Sequence, residues 1–359
     1  MEQTTATIPI SMLEQFCQTA LGRCGMSEAD ARVATDVLVT TDAFGVFTHG
    51  VKSLKGYIHR LKGGGLRADA TPCVAAEGPA WAVVDGQSAL GMITSVFAMN
   101  TAIQKAKTAG VAYLGVRNSC HFGAAGYYAL LAAKADMIGM AMANDTPSMV
   151  APGARKAVLG TNPFAYAVPA GQEPPIFMDI ASSAVAGGKI RVYQGLGQKV
   201  PDTWLVDTEG VPTTDPFAYP FAGSLQPFAG HKGYGIALMI ETLAGALSGA
   251  AMRGDVKGWI DSDPTQPTQH GAAFLAINVG QMMPIDAFKE RIDAMIRGIH
   301  ETPKAKGSQR IYVPGEMEWQ KRQEALAKGI PLPDDVRASL RELAEELEMK
   351  ADWLSIKGL

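Results

Sequence analysis

VAYLGVRNSCHFGAAGYYALLAAKADMIGMAMAN, residues 111–144, decides the architecture. The run 111–118 is rich in β-branched and aromatic residues and predicts a strand. Residues 124–135 then carry small and apolar side chains over helical length, and a second strand follows at 137–144. Working outward, WAVVD at 81–85 predicts a strand and 91–109 an amphipathic helix. PIFMDIA at 175–181 and AAFLAINV at 272–279 predict buried strands, apolar on both faces. This alternation argues for a mixed α/β domain. The run 234–249 predicts a buried apolar helix, and the Gly-, Pro-, Asp- and Thr-rich stretch 195–228 a long loop or surface excursion.

Both chain ends read as helical. Residues 9–44 predict two helices, the first with Ile10, Leu13, Phe16, Cys17 and Leu21 on one face. Ser27 caps the second, with Glu28 and Asp30 in its first turn, and a glycine-rich turn at 63–65 closes the region. A charged helix at 334–348 sets Leu340, Leu343 and Leu347 on one side. The expected division is 1–75 as an N-terminal helical segment, 76–280 as the α/β core, and 281–359 as a C-terminal segment.

Bulk properties exclude several functions. The 359 residues are 47% hydrophobic and 19% charged, with a formal net charge of −3. That favours neither nucleic acid nor an anionic membrane as partner. No apolar window is long enough for a membrane span, and the N-terminus lacks the pattern of a signal peptide. Cys17, Cys24, Cys73 and Cys120 form no CxxC pair, which fits free thiols in a reducing cytoplasm.

The motifs are chiefly histidines among glycines. No GxGxxG follows a strand and no P-loop is present, which disfavours Rossmann and P-loop nucleotide binding. His49, His121 and His231 lie in THG (48–50), HFGAAG (121–126) and GHKGYG (230–235). Glycine lets a backbone approach a ligand closely, and imidazole titrates near neutrality. Each could instead be a loop histidine bonded to backbone. No metal-ligand spacing and no GxSxG elbow occur; Ser119 beside Cys120 and His121 is the nearest approach to a hydrolase nucleophile. In LGTNPFAYAVP (159–169) a Thr-Asn-Pro turn can aim a hydroxyl and amides at a ligand. Asp179 sits in an apolar strand and needs a partner or a site. Lys189 and Lys232 are flanked by glycine and could hold an anion or be solvated.

Six segments in order carry a resemblance: GVFTHGVKSLKGYI (45–58), NSCHFGAAGYY (118–128), PGARKAVLGTNPFAYAVP (152–169), FMDIASSAVAGGKI (177–190), GHKGYGIALMIETLAGALSG (230–249) and VPGE (313–316). Over about residues 8–335 the chain resembles the malate/L-lactate dehydrogenase family of the second, non-Rossmann type. That family also contains ureidoglycolate and sulfolactate dehydrogenases, 2,3-diketogulonate reductase and piperideine-2-carboxylate reductase. The resemblance implies an α/β fold made of a non-Rossmann nicotinamide-binding domain with a mixed sheet and a partly helical domain built from both chain ends, with a C-terminal segment at 281–359 joining the N-terminal one, and a homodimer. It implies NAD or NADP as cofactor and a small 2-oxo or 2-hydroxy acid as substrate. His49 takes the acid/base role, with Thr48 orienting its ring. Cofactor contacts fall on His121, Phe122, Gly123, Ala124, Ala125, Thr161, Asp179, Ile180, Ala181, His231, Lys232, Pro314, Gly315 and Glu316. Lys52, Ser53 and Tyr57 stand on the substrate side, and no metal is implied. Ser53 replaces an arginine that many members carry, which disfavours a simple malate-like substrate, and Tyr312 replaces an arginine before PGE. Lys189 favours a carbonyl or hydroxyl substrate over a cyclic imine. The alternatives are a reductase of a cyclic imino acid or diketo sugar acid, and a nicotinamide-binding protein without chemistry.

Overall fold

The computed structural model describes residues 7–260 and 262–355. Two helices open the chain, α1 (Ile10–Gly22) and α2 (Glu28–Ala43). The face of α1 expected to be apolar buries Leu13, Phe16, Cys17 and Leu21. Ser27 caps α2, its Oγ accepting the Asp30 N–H at 3.1 Å. Helix α3 (Leu54–Gly63) stops at Gly64, whose φ of 91° is left-handed, as a glycine C-cap requires.

The core follows as β1 (Cys73–Gly78), β2 (Trp81–Asp85), α4 (Gly91–Ala109), β3 (Val111–Ser119), α5 (Ala125–Lys134) and β4 (Met137–Ala143). Then come β5 (Phe164–Val168), β6 (Ile176–Ile180), α6 (Gly187–Leu196), α7 (His231–Ile240) and β7 (His270–Asn278). Seven strands make one sheet in the order β1-β2-β3-β7-β4-β5-β6. Only β2 and β3 run parallel, joined by the α4 crossover; the other neighbours are antiparallel. The sheet is therefore mixed, as expected, and far from a Rossmann arrangement of parallel strands. Strand β7 is central, with Phe274 opposite Leu114 on one side and Ala141 on the other. Helices α4 and α5 pack against the sheet. The layer between them buries Met99, Leu114, Tyr128 and Phe274.

The chain closes with α8 (Ile285–Glu301), α9 (Glu316–Lys328) and α10 (Asp334–Glu346). Thr7–Ile8 pairs antiparallel with Ile330–Pro331, α9 packs on α2 and α10 on α3. Leu340, Leu343 and Leu347 are all buried there. Among the described residues no helix is long and apolar enough to cross a membrane.

Three expectations need correction. The stretch 195–228 is not a plain loop: Leu205–Val206, Pro212–Thr213 and Ser224–Leu225 join Met149–Val150 and Ala157–Leu159 in a five-stranded sheet. Strands this short carry no readable period. The apolar run 234–249 is only half buried, with Leu238, Met239 and Leu247 47%, 45% and 57% exposed. Strand β6 lies at the sheet edge, so Asp179 opens to one side instead of into a core.

Candidate active site

One cleft of about 1470 Å³ runs between the sheet and the helices of the chain ends. Thr48, His49, Lys52 and Ser53 line it from the turn between α2 and α3. His121, Phe122, Gly123, Ala124 and Ala125 enter from the turn between β3 and α5, and Thr161 from the turn before β5. Asp179, Ile180 and Ala181 contribute the end of β6, and Pro314 and Gly315 the approach to α9. Segments far apart in the chain thus meet because three turns and one strand end open to the same side of the sheet.

The remaining candidates lie elsewhere. His231 and Lys232 are exposed on the first turn of α7, outside the lining. Glu316 uses Oε2 to accept the Val313 N–H at 2.8 Å and Oε1 to pair with His300 and Arg310, so its carboxylate organises the turn instead of facing the cleft. Tyr57 is fully buried behind the wall and reaches the site through its hydroxyl.

The turn carrying His49 is set by close packing. Gly50 lies against the buried Asp42 carboxyl of α2, where a Cβ would overlap it, and Asp42 Oδ2 accepts the Val51 N–H at 2.9 Å. Burial holds the Asp42 carboxyl well above the usual carboxylate range, offset in part by that bond. The Thr48 hydroxyl lies 2.8 Å from His49 Nδ1 and, being exposed and free to rotate, can donate or accept. Burial depresses the His49 pKa below its ordinary 6.5, and the Asp145 carboxylate opposes that shift.

His121 stands beside it, the ring centroids 5.7 Å apart. Its Nδ1 meets the Tyr57 hydroxyl at 2.6 Å and the Gly123 N–H at 3.4 Å. A backbone N–H can only donate, so Nδ1 is an acceptor and the ring hydrogen sits on Nε2. Burial pushes the His121 pKa well below 6.5, and the nearby His49 and His270 rings add to this against Asp145. His121 is accordingly a neutral N–H donor, whereas His49 can take either tautomer.

Three participants escaped the sequence reading. Asp145, after β4, accepts from Thr146 N–H at 2.7 Å and meets His270 Nε2 at 3.1 Å. Burial alone would raise its pKa, but His270 and that amide hold it below the usual carboxylate value. Asn162 links the loops, accepting the Asp145 N–H at 3.1 Å and donating to Glu241 at 3.0 Å. Trp259 stacks on His121 with centroids 4.2 Å apart. The Thr-Asn-Pro turn, read for its hydroxyl and amides, held the one signal that could have found Asn162; a lone Asp and a lone Trp gave no pattern to find. Among the described residues no group of His, Cys, Asp or Glu is placed to hold a metal ion.

Asp179 opens to the cleft but is ringed by protein, and this desolvation lifts its pKa to about 6 despite an accepted bond from the Gly126 N–H at 2.7 Å. With its folded pKa above the ordinary carboxylate value, the native state holds a proton that the unfolded chain has already lost between about pH 4 and 6. Stability therefore falls across that window, and the loss is complete above pH 6. Asp179→Asn is expected to raise the melting temperature by a few degrees at pH 8 and to leave it unchanged near pH 3.5. Equal melting shifts at both pH values would contradict this assignment.

A family model described as malate/L-lactate dehydrogenase matches residues 8–341. A malate dehydrogenase of Pyrococcus horikoshii is 35% identical over 366 residues, covering 100% of this chain and 98% of that one. The NAD(+)-dependent ureidoglycolate dehydrogenase of Escherichia coli K12 is 32% identical, covering 90% of this chain and 92% of that one. The solved sulfolactate dehydrogenase of Methanocaldococcus jannaschii superposes with a TM-score of 0.89 at 35% identity, covering 96% and 98% of the two chains. With the match running across both chain ends and the sheet between them, the chain belongs to the malate/L-lactate dehydrogenase family of oxidoreductases.

Proposed function

We propose that this protein interconverts a 2-hydroxy acid and a 2-oxo acid with NAD or NADP, using His49 as general acid and base. The observation that carries the reading is the pair of imidazoles, His49 and His121, lining one cleft 5.7 Å apart. The cleft fits a dinucleotide in size, and its walls offer backbone at Gly123, Ala181 and Gly315. A Cβ on Gly315 would press on the Phe177 ring at 2.6 Å, so glycine there lets this turn pack directly on β6. When bound, the nicotinamide supplies or accepts the hydride. Protein groups handle the proton. In the reducing direction His49, as imidazolium, donates to the substrate oxygen, and in oxidation the neutral ring removes that proton. His121, fixed as an Nε2–H donor, polarises the same oxygen without changing charge.

Relatives are named for malate, sulfolactate, ureidoglycolate or cyclic imino acids. Ser53 is buried and bonds the Thr48 carbonyl at 3.3 Å, so it offers no fork for a carboxylate. We therefore propose a 2-oxo acid whose carboxylate is met by a group of the cleft other than residue 53. A homodimer would cover the exposed Leu238, Met239 and Leu247, and light scattering should read about twice 37.9 kDa.

The test is titration with NADH and NADPH, followed by a panel of 2-oxo acids at the nicotinamide absorbance. Turnover of at least one acid with one cofactor is expected. Tight binding without turnover on the whole panel would favour a non-catalytic nicotinamide-binding protein.

A further inference from the structure

A fully buried arginine lies one turn of helix from the site. Arg60, on α3, is 1% exposed. Its Nε donates to the Trp259 carbonyl at 2.5 Å and its Nη2 to Gly258 at 2.8 Å and to the Ser262 hydroxyl at 2.7 Å. Nη1 reaches the Gln266 carbonyl at 3.0 Å. The guanidinium fork thus holds one loop by its main chain. Side-chain-free positions on α3 let the loop approach: a Cβ on Gly56 would sit 3.0 Å from the Trp259 ring, and one on Gly63 2.8 Å from the Pro264 carbonyl. Trp259 consequently lies flat against two rings that touch each other edge to edge, Tyr57 and His121. Its plane is 8° from that of His121 at 4.2 Å, and 19° from that of Tyr57 at 4.9 Å.

We infer that Arg60 and Trp259 are positioning residues for His121: the arginine fixes the loop, and the indole clamps the imidazole so that Nε2 is presented to the cleft. Two constraints are then satisfied together. Tyr57 holds Nδ1 in the plane of the ring, and Trp259 blocks rotation and water on one face. Replacing Arg60 by lysine would supply one point donor set in place of a rigid fork and could not span Gly258, Ser262 and Gln266 at once. The inference rests on the reading that His121 acts on the substrate oxygen, and its test separates the two.

Trp259→Leu keeps the loop's main-chain bonds and removes the flat face. In the full chain labelled at histidine Cε1, the His121 resonance, assigned with His121→Gln, should titrate at least one pH unit higher in Trp259→Leu. The charged neighbours His49, Asp145 and His270 are the same in both proteins. Turnover should fall ~10²-fold, as for a reacting group misplaced by about an ångström, with NADH affinity within twofold. Trp259→Phe should recover most of both. Arg60→Met should reproduce the Trp259→Leu titration; should it fail to fold, the tryptophan pair decides alone. An unshifted His121 titration in a folded Trp259→Leu protein overturns the inference, whatever the activity. A shifted titration alongside undiminished turnover of His121→Gln upholds the positioning and refutes the catalytic reading instead.

Discussion

His49→Ala is expected to lower kcat/KM by ~10²–10⁴-fold in both directions while leaving nicotinamide affinity within about twofold, since a positioned acid/base contributes that much. The pH dependence gives the assignment a second handle. Burial places the folded ring's pKa below 6.5, with Asp145 partly restoring it. Reduction needs the imidazolium, so its kcat/KM should fall as pH rises through that value. Oxidation needs the neutral ring, so its kcat/KM should rise through the same region. Both limbs should vanish in His49→Ala. His121→Gln behaves differently on this scheme, because a ring already neutral at pH 7 loses polarisation and not a titration. Its rate should drop ~10²–10³-fold with the limb unmoved. Normal turnover of His49→Ala, or a limb that survives in it, would place the proton transfer on another group.

The two histidine results bear on how far the sequence could be read. Elements with a strong period were legible: helix 91–109 and strand 81–85 appear as expected, because the apolar pattern alone decides their exposure. The two-residue strands within 195–228 were not, since pairing with one another and, through Leu225, with Met149 makes them strands and no local signal does. The site divides the same way. His49 and His121 stood out through their glycines, Gly50 and Gly123, which are there to let backbone pass close to Asp42 and to adopt a φ of 79°. The partnership of the rings was invisible, because it depends on the α2–α3 turn meeting the β3–α5 turn. Arg60 and Trp259 are nearly 200 residues apart in the chain and join through a carbonyl oxygen, which sequence does not encode by residue type. Asp42 read as one more helical residue, although burial and its bond to Val51 make it the floor beneath the turn that carries His49.

That floor yields the second large effect. Gly50→Ala would drive a methyl into the Asp42 carboxyl, which is 1% exposed and fixed on α2 with no room to swing aside. Overpacking of this kind costs about 3 kcal/mol, read as a lower urea midpoint with the m-value unchanged. Relief comes from displacing the turn, and His49 moves with it, so kcat/KM should fall ~10²-fold even where the variant is fully folded. Asp42→Ala makes room for the methyl but strips the Val51 N–H of its acceptor, costing about 1–3 kcal/mol on its own. The double variant should therefore lose clearly less stability than the sum of the singles, because the clash exists only when both the methyl and the carboxyl are present. Asp42→Asn, which keeps the bulk, should give no such relief. Strictly additive losses in the Gly50→Ala, Asp42→Ala cycle would mean that the glycine answers to something other than the carboxyl beneath it, and the packing account of how His49 is held would have to be abandoned.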